Sequence, residues 1–279
     1  MRSPSDGKTG SESTNLDTPE RVTLRIQSTP PQCTVSINGI SRGTTNPQGS
    51  LSIPDLQPGS YTIEITHEWY EPWSDDIELP RPQPLSVTLD PTPPEILLER
   101  ARDKYEEREY GNVIRICRRI LEIQNDQPRA VEYLAKSHLA LGHSEDAVNY
   151  FVRTVELGRP VKFHLKHHHG KLGFESMCQG DITIARDQIS FLSHSNASHH
   201  FQVPLTNLIQ CAVRGDPARL HMRVRIGKKK KKNFNFYAPG ARMVPVEQGS
   251  LLREVRCNDC RAYVEVIYEL LMRIRGEME

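Results

Sequence analysis

The densest run of residues that could do chemistry lies between Arg219 and Phe236. Alternation along a strand puts Leu220, Met222, Val224 and Ile226 on one face and Arg219, His221, Arg223 and Arg225 on the other. Gly227 then opens a turn carrying Lys228, Lys229, Lys230, Lys231 and Lys232, after which Phe234 and Phe236 return to the core. The chemistry this predicts is anion binding. Near an anionic bilayer each lysine or arginine is worth about 1 kcal/mol, and phosphate contacts on nucleic acid give a comparable, salt-dependent attraction. The plainest reading is a solvated turn whose lysines discourage edge pairing. Anionic lipid or an acidic protein comes next. Nucleic acid comes last, because the phenylalanines alternate with asparagines on the inward register and leave no stacking platform.

Metal chemistry has less behind it. Cys257 and Cys260 have the spacing of half a zinc site, but the sequence holds no second Cys-x-x-Cys. Cys260 falls on the apolar stripe of a final helix, with Cys257 one turn before it, and both read as core thiols. His167, His168 and His169 alternate on a strand and cannot all face one way. His199, His200 and Cys178 could join a site only through tertiary contact. No metal and no cofactor are expected. The sequence also lacks a Gly-x-Ser-x-Gly elbow, a His-Glu-x-x-His pair, a nucleotide loop and a kinase signature. Asp75-Asp76 and Glu106-Glu107 read as surface charge, and Asn196-Ala197-Ser198 as a glycosylation acceptor that goes unused. No catalytic residue, no small-molecule substrate and no enzymatic activity are expected.

The elements that must position these residues follow from composition and pattern. With 279 residues, 37% of them hydrophobic and 25% charged, the chain can bury cores for two or three domains. It has no apolar run of 18 residues and a polar start, which predicts a cytoplasmic protein. Six cysteines spread over this length predict mostly reduced, buried thiols. The net charge of +1 hides an asymmetry: residues 1–93 carry 6 basic and 12 acidic side chains, residues 161–279 carry 19 and 11. Such polarity points to an anionic partner for the C-terminal part or to contact between the ends.

Residues 1–19 have almost no apolar side chains and read as a disordered tail. From Arg21 to Asp90 the pattern has period two, interrupted by Pro30-Pro31, Asn38-Gly39, Asn46 to Gly49 and Pro58-Gly59. Short strands between turn residues predict a small antiparallel sandwich over 20–90. The order Ser28 to Pro31, Val35 to Gly39, Gly43 to Thr45, Leu56 to Tyr61 and Glu68 to Tyr70 resembles a PEGA domain. Gln32-Cys33-Thr34 departs from the Glu-Gly-Ala of that name, and Thr45 stands where the family usually has proline. The resemblance implies a binding or spacer module without catalysis. Trp69, Tyr70 and Trp73 cluster near a strand end, as core, docking or interface aromatics. A proline-rich linker follows at 91–94.

Between 95 and 160 the chain is self-similar at 34 residues, setting Tyr110 over Ser144, Val113 over Ala147, Cys117 over Phe151 and Leu121 over Val155. That period predicts paired antiparallel helices. The second unit, with Leu134-Ala135, Gly142, Ala147 and Phe151, resembles a tetratricopeptide repeat; the first departs at Arg108 and Val113. The resemblance implies an inner surface that takes a partner protein. It would offer Leu98, Arg102 and Tyr105 with Glu95, then Arg129, Glu132 and Lys136 with Leu139. Two such units are too few to stand alone and should pack on a neighbouring domain.

Beyond Pro160 period two returns, with candidate strands at Lys162 to His169, Cys178 to Ala185, Gln188 to His194, His199 to Leu205, Leu208 to Val213, Arg219 to Ile226 and Asn233 to Ala238. A helix follows, striped by Val255, Cys260, Tyr263, Val264, Ile267, Leu270, Leu271 and Ile274. On Cys178 to Ile184, Ile189 to Phe191 and Phe201 to Leu205, the order of elements over 161–279 resembles a pleckstrin-homology-like or GRAM-like domain. Lipid-binding members of that family use basic residues in the first hairpin, where this chain has His167 to Lys171 and then Glu175.

The expectation is thus a multidomain α+β chain of bacterial-type architecture: a small β-sandwich, two helical-hairpin repeats, then a seven-stranded PH-like sheet or barrel with a C-terminal helix. Its expected work is that of a non-catalytic adaptor or scaffold with a protein partner. The alternatives are a peripheral membrane protein that binds anionic lipid through the basic hairpin, and a regulatory component of a kinase signalling system.

Overall fold

The computed structural model describes residues 20–169, 176–195, 197–228, 230–245, 253–257 and 260–276; the expected tail at 1–19 lies outside them. The chain divides between Thr92 and Pro93 into two compact units.

The first unit holds β1 (Val22–Thr29), β2 (Thr34–Ile37), β3 (Ile40–Thr44), β4 (Ser50–Leu56), β5 (Gly59–Thr66), β6 (Trp73–Leu79) and β7 (Leu85–Thr88); all but β3, which buries no side chain, come from the period-two stretches. They form two sheets, ordered β4-β1-β7 and β3-β2-β5-β6. Their inner faces meet in one core that includes Leu24, Ile26, Val35, Ile37, Ile63 and Ile65. Asn38 and Gly39, at φ 50° and 75°, turn β2 into β3, a left-handed turn that Asn-Gly accepts without strain. One expectation fails: β7 runs parallel to β1, so the sandwich is not wholly antiparallel. Side-chain alternation fixes which face is buried and carries no information about strand direction.

The positions that depart from the PEGA pattern have a shared job. The buried Thr45 hydroxyl lies 2.9 Å from Ser28 Oγ and accepts from the Cys33 amide at 2.9 Å. Cys33 in turn donates its thiol to the Pro30 carbonyl at 3.1 Å, and burial raises its pKa. Threonine here therefore satisfies the buried Cys33 N–H, which proline would leave without that partner, and adds a second bond to a Ser28 hydroxyl that already donates to the Pro30 carbonyl at 2.8 Å. Tyr70 and Trp73 pack against the same core.

The second unit starts with four helices, α1 (Pro94–Glu106), α2 (Tyr110–Ile123), α3 (Pro128–Ala140) and α4 (Ser144–Glu156). α1 and α3 each carry proline in the first turn, where its missing N–H costs nothing. Their apolar stripes, Leu97 and Ala101 in α1 and Ala130, Val131, Leu134 and Ala135 in α3, are buried. Then come β8 (Val161–His169), β9 (Ser176–Ile184), β10 (Gln188–Ser193), β11 (Phe201–Pro204), β12 (Leu208–Arg214), β13 (Arg219–Ile226) and β14 (Lys230–Tyr237). These make one antiparallel sheet in the order β11-β10-β9-β8-β14-β13-β12, in which the first strand pairs with the last. A short hairpin, β15 (Arg242–Pro245) with β16 (Arg253–Arg256), and α5 (Cys260–Gly276) complete the chain.

Gly180 on β9 lets β10 close in: a Cβ there would lie 2.5 Å from the Leu192 carbonyl oxygen and 2.6 Å from the Phe191 ring. The sheet curls until β11 approaches β13, leaving its seam between β11 and β12, and α5 packs on β12 and β13 beside that seam. The stripe Val264, Ile267, Leu270, Leu271 and Ile274 supplies the apolar cover. Val255, expected on this helix, lies in β16, and Cys257 precedes the helix. The hairpin had no legible signal, because its strands are four residues long and carry three arginines.

The change of period at Pro160 marks a change of element type, and the core runs straight across it. Ala147, Val148, Phe151 and Val155 of α4 belong to the same buried cluster as the sheet and α5. Phe151 meets Phe163 of β8 edge to face, with centroids 4.9 Å apart. The four helices thus gain the neighbour that two short hairpins require. Phe151→Ala should destabilise the second unit by about 3–5 kcal/mol. In urea unfolding followed by far-ultraviolet circular dichroism, helix and strand signals should still be lost together.

Candidate functional site

Residues spaced three or four apart share one helix face. On α1 these are Glu95, Leu98, Glu99 and Arg102, and on α3 Arg129, Glu132, Tyr133 and Lys136. With Arg159, which follows α4, they line a cleft of about 470 Å³. The cleft gathers Glu95, Leu98, Arg102, Arg129, Glu132 and Lys136, six of the eight groove residues read from the sequence. Of the other two, Tyr105 sits in an aromatic row with Tyr110 and Tyr133, at centroid distances of 5.5 and 5.6 Å. Leu139 packs on the core instead. Sequence reasoning missed Arg159 because it lies outside the helices, where periodicity says nothing.

Electrostatically the cleft is divided. Glu132 accepts from Arg159 Nε and from Lys136 Nζ, the latter at 2.6 Å. Burial works to raise its pKa, but the bonds from Lys136 and Arg159 outweigh burial and hold the carboxylate below its ordinary range. Arg102 is turned to Asp103 by two bonds, at 3.1 and 2.9 Å. Arg129 is exposed and its guanidinium makes no ion pair among the described residues. Glu132 is thus saturated while Arg129 stands ready, with Glu95 and Glu99 of α1 in the same cleft.

The basic hairpin differs from expectation at its tip. Leu220, Met222 and Val224 are buried and Arg223 and Arg225 exposed, as alternation predicts. The lysines do not form one turn. Lys228 is in the turn, Lys229 lies outside the described residues, and Lys230, Lys231 and Lys232 belong to β14, paired with Ile226, Arg225 and Val224. The field is therefore split between two faces. Arg223, Arg225 and Lys231 share the outer face. Lys230 and Lys232 project on the face of Phe234, and Lys232 Nζ donates to the Ser198 carbonyl at 2.9 Å. Arg219, half-buried, is opposite Arg214 at the far end of the strand.

Among the described residues two side-chain clusters have metal-ligating composition: His138, His143 and Asp146 in the helical segment, and His167, Cys178 and His199 at the sheet. Cys257 and Cys260, expected to be core thiols, form a disulfide, so that pair offers no thiolate. Of the remaining cysteines, Cys33, Cys117 and Cys178 are buried and Cys211 half-buried, all reduced. Burial pushes Cys117 and Cys211 up to about 12. Asp75 and Asp76 are exposed on β6, as surface charge.

Residues 21–93 match the PEGA domain family, and the N-terminal sandwich is a PEGA domain. No curated protein matches the chain. Among solved structures, the chain is similar to the solution structure of the N-terminal PH domain of the human ARAP2 protein. That similarity covers 44% of this chain and 84% of the other, at 12% identity and a TM-score of 0.28, and carries no argument about function.

The paired Glu132 makes stability depend on pH. Its folded pKa is depressed, so its contribution is present above the ordinary carboxylate pKa, near 4.3, and is lost as pH falls through the lower folded value. Glu132→Gln should cost about 1 kcal/mol at neutral pH. In urea melts the gap from wild type should close below about pH 4.

Proposed function

We propose that this chain is a non-catalytic adaptor whose helical segment holds an extended, acidic stretch of a partner protein in the cleft between α1 and α3. The observation that carries the reading is Arg129, exposed without an ion pair among the described residues beside a Glu132 already saturated by Lys136 and Arg159, in a cleft whose lining also holds Glu95 and Glu99. Two observations favour a tetratricopeptide-like reading of the helices. α1 and α3 start at Pro94 and Pro128, and α2 and α4 at Tyr110 and Ser144, each pair 34 residues apart. In such a module the cleft would be the inner, partner-facing surface. The PEGA domain fits an interaction role.

A second reading rests on the outer face of the basic hairpin. Arg225 stands directly opposite Lys231, with Arg223 two residues away on the same face. Like charges opposed across strands destabilise a sheet, and a bound anionic surface would relieve that repulsion. No helix among the described residues is long and apolar enough to cross a membrane, so this contact would be peripheral.

The two readings separate by experiment. On an array of acidic, basic and neutral peptides, the purified chain should retain acidic peptides, more weakly as salt rises. Arg102→Glu with Arg129→Glu should lower affinity by about tenfold or more. Retention indifferent to peptide charge, or to the double substitution, would end the cleft reading. For the second reading, co-sedimentation with phosphatidylserine vesicles should be salt-sensitive and lost on replacing Arg223, Arg225 and Lys231 with Ser; equal pelleting with neutral vesicles would dismiss it.

A further inference from the structure

His167 and His169 occupy alternate positions on β8 and so face the same way, the relation hidden in a run of three histidines. β8 pairs with β9 so that His167 lies directly opposite Cys178. His199, expected in a strand, instead ends a short 3-10 turn, Ala197–His199, that leads into β11. The turn brings its ring to within 4.8 Å of the His167 ring, centroid to centroid. The Cys178 thiol then lies 3.7 Å from His167 Nδ1 and 3.4 Å from His199 Nδ1.

Those two distances are the edges of a coordination tetrahedron. A tetrahedral zinc ion with Zn–S of about 2.3 Å and Zn–N of about 2.0–2.1 Å sets its sulfur and nitrogen ligands about 3.5 Å apart. The three ligand atoms are already convergent, all within 4.8 Å of one another. We propose that His167, Cys178 and His199 form a binding site for a divalent metal ion of the zinc class, tying β8, β9 and the turn before β11 together.

The surroundings suit that role. His167 and Cys178 are each only 4% exposed, and the rings of Phe191, Phe234 and Phe236 stand 5.4–5.8 Å from His167. An apolar shell of this kind excludes competing water. Burial, reinforced by the neighbouring His199, His169, Lys232 and His168, pushes His167 down to about 3, and burial lowers His199 as well. Neutral imidazole is the form that binds metal. On binding, the Cys178 thiol gives up its proton to solvent as the sulfur–metal bond forms. His169 adds a third imidazole, its centroid 4.2 Å from that of His199 and its Nδ1 3.1 Å from Ser176 Oγ. Lys232 is the opposing charge. Its ammonium is directed to the Ser198 carbonyl, and the thiolate offsets part of its repulsion. A mixed thiolate and imidazole set selects zinc over magnesium or calcium.

Cobalt(II) reports such a site directly. The full-length chain, kept without reductant so that Cys257 and Cys260 stay joined, should take up one equivalent of cobalt(II). Binding should show the intense visible absorption of tetrahedral cobalt and a near-ultraviolet thiolate charge-transfer band, and zinc(II) should abolish both. Cys178→Ser should remove the charge-transfer band. His199→Ala, at a half-exposed position that tolerates truncation, should stay folded by circular dichroism and lose about tenfold or more in affinity. Absence of tetrahedral absorption in the wild type would overturn the proposal. So would a charge-transfer band that survives Cys178→Ser, or unchanged affinity in folded His199→Ala.

Discussion

Phe151 of α4 meets Phe163 of β8, and most of the second unit depends on the core that closes around that contact. Four helices of 13 or 14 residues have too little apolar surface to stand alone, because each can bury only one stripe. The curled sheet has a seam between β11 and β12 that needs an apolar cover. Placing α5 beside α4 and across β12 and β13 serves both needs with one layer of side chains. A rigid support then follows for the cleft, since the faces of α1 and α3 turned from the core are free to carry charge.

The same sheet shows how strand pairing sorts charge and chemistry. Its outer face collects Arg223, Arg225 and Lys231, which repel one another. On its inner face, pairing of β8 with β9 sets an imidazole against a thiol among phenylalanine rings. Burying polar groups is costly unless they are paired, and a thiol 3.7 Å away is a weak partner for His167. In the PEGA domain the comparable cost is met by Ser28, Thr45 and Cys33, whose bonds close on themselves.

Periodicity in the sequence determined most of the elements. Alternation located the strands of the seven-stranded sheet, and those of the sandwich other than β3, to within a few residues, and the apolar stripes picked out the buried faces of α1, α3 and α5. Helical spacing likewise found six residues of the cleft. These succeed because burial on one face leaves a mark at each position along an element, with no knowledge of its neighbours. Tertiary structure alone decided the rest. It paired β7 with β1 in parallel, joined Cys257 to Cys260, moved three lysines from turn to strand, and set His167, Cys178 and His199 within reach of one ion. Apart from the local disulfide, whose cysteines are three residues apart, each of these is a relation between chain segments. Register and direction of pairing fix it, and a one-residue slip would undo it, so no single segment's pattern could have carried it.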